Sequence, residues 1–252
     1  MIDFRRASGR QWGQLLFGLT LYGVAITLML RSELGLGPWD MFHQGIHNIF
    51  NIPVGVASQL VGLALLIGLL FVRVRFGWGT IANIVFIGLV TDLTLPLVPT
   101  ATALDSISRI AGETMWSGGS LLHLGVQLIY YALALVMCGL ATGAYIGANM
   151  GAGPRDSLMM MLSVRTGWPV RRVRTAIELV VLVGGWLMGG KAGVGTVLFA
   201  LGIGPAAQWG LKLFGATPHG EHRAKNIEHN AEHRAKNIEH RDEIAELTIQ
   251  VK

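Results

Sequence analysis

Gly35-Leu36-Gly37-Pro38-Trp39-Asp40 returns 116 residues later as Gly151-Ala152-Gly153-Pro154-Arg155-Asp156. Outward from this pair the same offset holds without a gap. Pro53-Val54 meets Pro169-Val170, Gly77-x-Gly79-Thr80 meets Gly193-x-Gly195-Thr196, and Gly88 meets Gly204. Self-similarity at a fixed offset marks a duplicated structural unit, so the chain reads as two halves built alike. Within each motif the glycines allow an abrupt turn, and proline suits the first turn of a helix. An aspartate two residues later complements the positive helix end. Gly35, Gly37 and Pro38, with Gly151, Gly153 and Pro154, are therefore expected at the starts of two matched helices.

The material between the motifs is strongly apolar. Hydrophobic residues make up 52% of the 252 residues and charged residues only 14%, which is too much apolar surface for a water-soluble domain of this size to hide. Apolar runs lie at roughly 12–30, 54–72, 79–98, 121–146, 171–189 and 194–213, each near the ~20 residues that cross a bilayer core. The sequence thus predicts an all-α membrane protein of six transmembrane helices. The halves fall at 1–98 and 121–217, with a linker at 99–120 and a charged, flexible cytoplasmic tail at 218–252. Three spans per half is an odd number, so the second half is expected to enter the membrane inverted relative to the first. That plan recurs in secondary transporters, where substrate binds between the halves.

Charge orients the chain. Arg5, Arg6 and Arg10 precede the first span, Arg73 and Arg75 follow the second, and Arg155, Arg165, Arg171, Arg172 and Arg174 lie between or at the start of the fourth and fifth. These positions belong to alternate loops, and the bias places both termini in the cytoplasm. The seven tryptophans fall near predicted span ends, where an amphipathic ring prefers the interface. The net charge of +5 is explained by this orientation, and no basic stripe with interleaved aromatics points to nucleic acid. Cys138 is the single cysteine and lies within an apolar run, so no intrachain disulfide forms.

The segments LGLGPWDMFHQGI (34–46), IPVGVASQLVGLALL (52–66), GAGPRDSLMMML (151–162) and VGTVLFALGIGP (194–205) resemble the YczE/YyaS/YitT family of bacterial integral membrane proteins. The resemblance runs from about Gly18 to Leu213 and does not cover the tail. It implies an inner-membrane location and a multi-helix fold, and carries no established activity.

Several residues are candidates for chemistry. Residues 38–50 form an amphipathic segment too short to span, expected as a surface-lying or re-entrant helix, and Pro154 begins its counterpart. Two readings fit these helix starts: an anion site made by free backbone N–H groups, or plain capping by Asp40 and Asp156. Ionisable residues at membrane depth are functional candidates by default, and Asp92 and Glu178 are the two here. Glu178 also stands four residues after Arg174, where a structural ion pair would form. Asp92 equally suits a hydrated position near an interface. Asp40, His43 and His47 share one helix face, yet a fourth ligand is missing and no metal site is expected. No Walker lysine, His-Glu-x-x-His or Gly-x-Ser-x-Gly element occurs, so neither enzymatic activity nor a cofactor is expected.

The expected function is secondary transport or export of a small solute between the halves, with Asp40, Asp156, Asp92 and Glu178 serving substrate or ion coupling. The alternative is a non-transporting scaffold or accessory protein for another membrane or biosynthetic protein. The lipid bilayer is the expected partner. A homodimer is compatible with the glycines at 184, 185, 189 and 190, which equally suit contacts within one chain.

Overall fold

The computed structural model describes residues 7–72, 74, 76–104 and 121–215. Arg5, Arg6, Arg73, Arg75, most of the linker and the tail from 218 lie outside these residues, as does Trp116. The described chain is helical and contains no strand. Its helices are α1 (Gly9–Ser32), α2 (Pro38–Phe50), α3 (Val54–Phe71), α4 (Trp78–Thr94), α5 (Leu121–Gly147), α6 (Pro154–Thr166), α7 (Val170–Leu187) and α8 (Val194–Leu213). A 3-10 turn, Leu95–Leu97, extends α4.

The offset read from the sequence is carried by the backbone. α2 and α6 share both ends at a separation of 116, α3 and α7 do so too, and α4 and α8 share their starts. Positive φ angles recur at the same spacing, at Glu33 and Asn149, Gly35 and Gly151, and Asn51 and Gly167. α5 is the counterpart of α1, and the two pack along their lengths in opposite directions. Gln11 near the start of α1 donates from Nε2 to the carbonyl of Ala148 (3.2 Å), just past the end of α5, and Gln14 to that of Ala144 (3.1 Å). α4 runs alongside α1 in the same direction. Trp12 and Trp78 meet at the helix starts with ring centroids 6.3 Å apart. At the far ends the Thr27 and Thr94 hydroxyls bond at 2.6 Å, and Arg31 donates to the carbonyl of Leu95.

Around this centre the halves exchange contacts. α2 packs on α7 as well as on α3, while α6 packs on α3 and α7, and α8 covers α5. Small residues permit the close approach, as expected where packing rather than the hydrophobic effect joins helices. A side chain at Gly18 would meet the backbone of Tyr145 at 2.8 Å. Gly185 and Gly190, two of the glycines weighed for a dimer, are taken up within the chain by the backbone of Met41 on α2. Large apolar side chains instead point outward, among them Phe71, Leu201 and Trp186, while Thr27, Ser32, Thr80 and Thr91 are buried.

Five segments are long and apolar enough to cross a membrane: Gly9–Ser32, Val54–Phe71, Trp78–Leu104, His123–Gly147 and Val194–Leu213. The run expected at 171–189 differs. It forms α7, which is 18 residues long but carries Arg171, Arg172, Arg174 and Glu178 in its first half. Four charges in so short a helix take it out of the apolar class.

The two glycine motifs meet across the halves. Gly79 donates its N–H to the carbonyl of Met150 and Gly195 to that of Leu34, each at 2.8 Å. Gly35 and Gly151 sit at φ +118° and +117°, and a Cβ there would lie 2.7 Å from the nitrogen of Gly193 and 3.0 Å from that of Gly77 respectively. Gly35→Ala is therefore expected to lose about 1–3 kcal/mol of stability from backbone strain alone, read as a lowered midpoint of thermal unfolding. Gly68→Ala, in a helix with open space around the position, should leave the midpoint unchanged or raise it.

Candidate functional site

The helices α2 and α6 begin alike. Gly37 and Gly153 are extended N-caps without a side-chain cap, and proline follows each. The first helical bonds are made by the N–H groups of Met41 and Ser157, to the carbonyls of Gly37 and Gly153 at 2.9 Å. The N–H groups of Trp39 and Asp40, and of Arg155 and Asp156, consequently have no acceptor inside their helices. Both starts open on one cavity of about 140 Å³, whose wall also takes residues from α1, α3, α4, α5, α7 and α8.

Eighteen of the twenty-two lining residues form nine pairs 116 positions apart. The cavity therefore lies where matched positions of the two halves meet. Its chemistry is not symmetric, because the paired positions differ. Trp39 faces Arg155, while Ser58 and Gly62 of α3 correspond to Arg174 and Glu178 of α7, and Asn83 of α4 corresponds to Phe199 of α8. The second half thus supplies the charges that have no counterpart in the first.

At the centre the guanidinium carbon of Arg155 lies 4.8 Å from the ring centroid of Trp39, a cation–π contact between two matched positions. Arg155 Nη2 also lies 3.2 Å from His43 Nε2. A guanidinium only donates, so Nε2 accepts and the neutral ring carries its proton on Nδ1. That nitrogen is 3.8 Å from Asp40 Oδ1, beyond hydrogen-bond distance. α2 is too short to span, and burial there raises the Asp40 carboxyl above its ordinary value and lowers the His43 imidazole well below its own. Trp39 Nε1 and Asp40 Oδ1 are buried with no hydrogen-bond partner among the described residues. The other charges are matched. Asp156 accepts from the Tyr145 hydroxyl, and Arg174 Nε donates to Glu178 Oε1 at 2.8 Å, with those side chains 51% and 30% exposed.

Of the sequence candidates, Asp40, Asp156 and Glu178 line this cavity together with Gly37, Pro38, Gly153 and Pro154. Gly35 and Gly151 stand behind it, in the loops that aim the two helices. Asp92 is not a lining residue. Its two carboxylate oxygens accept from the N–H groups of Gly55 (2.7 Å) and Val56 (3.0 Å), capping α3, whose N-cap is Pro53 and offers no side-chain oxygen. His47 serves a similar local need, donating from Nδ1 to the carbonyl of Ile52 at 2.7 Å. From the sequence, Trp39 reads as an interface aromatic and Arg155 as a loop charge. The available signal is that both occupy one of the two variable positions of the repeated motif. Tyr145 carried no signal, since its counterpart is Met29.

Fold and site together define a helical membrane protein with a cavity whose wall carries polar and charged residues from two similar halves. A model of a family of unknown function, DUF6198, matches residues 9–212, and the chain belongs to that family. It is 34% identical over 194 residues to the uncharacterized membrane protein YczE of Bacillus subtilis (strain 168), covering 76% of this chain and 80% of that one. An uncharacterized protein of Haemophilus influenzae is 32% identical over 205 residues, covering 81% and 85% of the two chains. The uncharacterized protein YyaS of Bacillus subtilis is 25% identical over 181 residues, covering 72% and 82%. No solved structure matches.

Because Asp92 caps α3, Asp92→Ala should cost about 1–2 kcal/mol of stability, read as a lower unfolding midpoint. Asp92→Asn keeps one acceptor of the two and should lie between that variant and the native chain.

Proposed function

We propose that this protein is a secondary transporter or exporter of a small solute in the bacterial cytoplasmic membrane, working between two inverted halves. The observation that carries the reading is the cavity itself, lined by residues in nine pairs related by the repeat offset and entered by both Gly-Pro helix starts. A site on the axis between inverted repeats is the place from which rocking of one half against the other opens access to each side in turn. The antiparallel course of α1 against α5 supports the inversion.

In this reading α7 is a sixth crossing. Its 18 residues suffice for a slightly thinned bilayer, and Arg174 and Glu178 face the cavity rather than lipid. Both termini are then cytoplasmic, in keeping with the arginine bias. A scaffold for another membrane protein has no use for a polar cavity at the join of the halves, which favours transport over that alternative.

Cys138 lines the cavity and is the only thiol in the chain, so it reports on access without labelling elsewhere. A small membrane-impermeant methanethiosulfonate should modify it from both faces, measured in right-side-out and inside-out vesicles. Ser58→Cys in a Cys138→Ala background, at a second lining position, should behave alike. Modification from one face only, at both positions, would remove alternating access and return the scaffold reading.

A further inference from the structure

The cavity wall holds two kinds of unpartnered group. Trp39 Nε1 is a donor and Asp40 Oδ1 is an acceptor, on residues 9% and 7% exposed. Both residues line the cavity. Arg155 adds a fixed cation with no carboxylate within ion-pair distance among the described residues; its contacts are the face of Trp39 and a ring nitrogen of His43. Around them stand the first-turn N–H groups of α2 and α6, at helix ends that carry partial positive charge. Glu178 and Asp156 are already engaged, by Arg174 and Tyr145.

A simple anion would answer Arg155, Trp39 Nε1 and the helix starts, but would set a second negative charge beside Asp40. A simple cation would answer Asp40 and meet Arg155 and two positive helix ends. A solute that carries both charges answers every group and leaves the net charge of the site unchanged. We propose, resting on the transport reading, that the solute is a small zwitterion of the amino-acid type. Its carboxylate accepts from Trp39 Nε1, Arg155 and the helix starts, while its ammonium donates to Asp40 Oδ1. The cost of burying the Asp40 carboxylate is offset when a cation sits against it. Size sets a limit as well. The cavity of about 140 Å³ is several times the roughly 10–15 Å³ that one water needs, which suits a solute of a few heavy atoms.

The test is the thermal unfolding midpoint of the full detergent-purified chain against glycine, L-alanine and L-serine, then the remaining proteinogenic amino acids. Propionate and ethylammonium, which are alanine without its ammonium and alanine without its carboxylate respectively, complete the set. At saturating concentration a small amino acid should raise the midpoint by about 5 °C or more, with no shift from either single-charge analogue at equal concentration. Asp40→Asn and Arg155→Gln should each abolish the shift. The comparison among probes is made on the native chain, so it does not depend on the variants folding. A shift from propionate as large as that from alanine, or an alanine shift that survives Asp40→Asn, overturns the zwitterion in favour of an anion. If no amino acid shifts the midpoint while Cys138 is modified from both faces, the substrate class falls and the transport reading stands. Modification from one face only removes the transport reading itself.

Discussion

The arrangement depends on a backbone contact made twice. The loop before α2 seats on the loop before α8, and the loop before α6 seats on the loop before α4, each through glycine against glycine and backbone N–H to carbonyl bonds, two in the first contact and one in the second. A backbone amide shut off from water by close packing must find a partner in the protein, so these bonds are worth more in keeping groups satisfied than their number implies. The contacts also run between halves. The direction in which α2 leaves its loop is set by Gly193 and Gly195 in the second half, and that of α6 by Gly77 and Gly79 in the first. Both helix starts reach the cavity because each half positions a helix of the other.

That exchange explains why the cavity sits where it does. Where matched positions of two similar halves meet, a side chain can face its own counterpart. Trp39 and Arg155 do so. Two arginines at these positions would repel each other, and two tryptophans would fill the space between the helix starts. The pair present closes the centre with an attraction that can be parted, since a cation–π contact is worth only about 0.5–2 kcal/mol. Duplication builds the frame, and divergence at paired positions gives it a polarity.

The sequence disclosed the frame well. The motif spacing alone located the starts of α2 and α6 and those of α4 and α8, because an ungapped offset leaves no freedom in where the second copy falls. The cavity was legible only in part. Asp40 and Asp156 could be named because they belong to the repeated motif, and Glu178 because a carboxylate stands out in an apolar run. Asp92 stood out for the same reason, yet it faces the start of α3, where proline leaves a cap unfilled. Polarity within an apolar run shows that a group must be satisfied, not whether helix backbone or solute satisfies it. The pairing of Gly35 with Gly193 was hidden for a different reason: comparison of copies reveals which residues correspond, whereas contacts join residues that do not correspond.

The charges that break the symmetry cluster in the second half. Arg155, Arg174 and Glu178 replace Trp39, Ser58 and Gly62 at matched positions. α7 accepts a large loss of apolar character for this, and it is the helix in which the apolar pattern of a span is weakest. Its counterpart α3 has no charged residue and qualifies as a span by composition. Arginines at the start of a span fit the charge bias that orients a chain in the membrane, but that bias gives no reason for Glu178. Arg171 and Arg172 are exposed at the start of α7, whereas Arg174 and Glu178 pair with each other on the cavity wall, where α3 offers only Ser58 and Gly62.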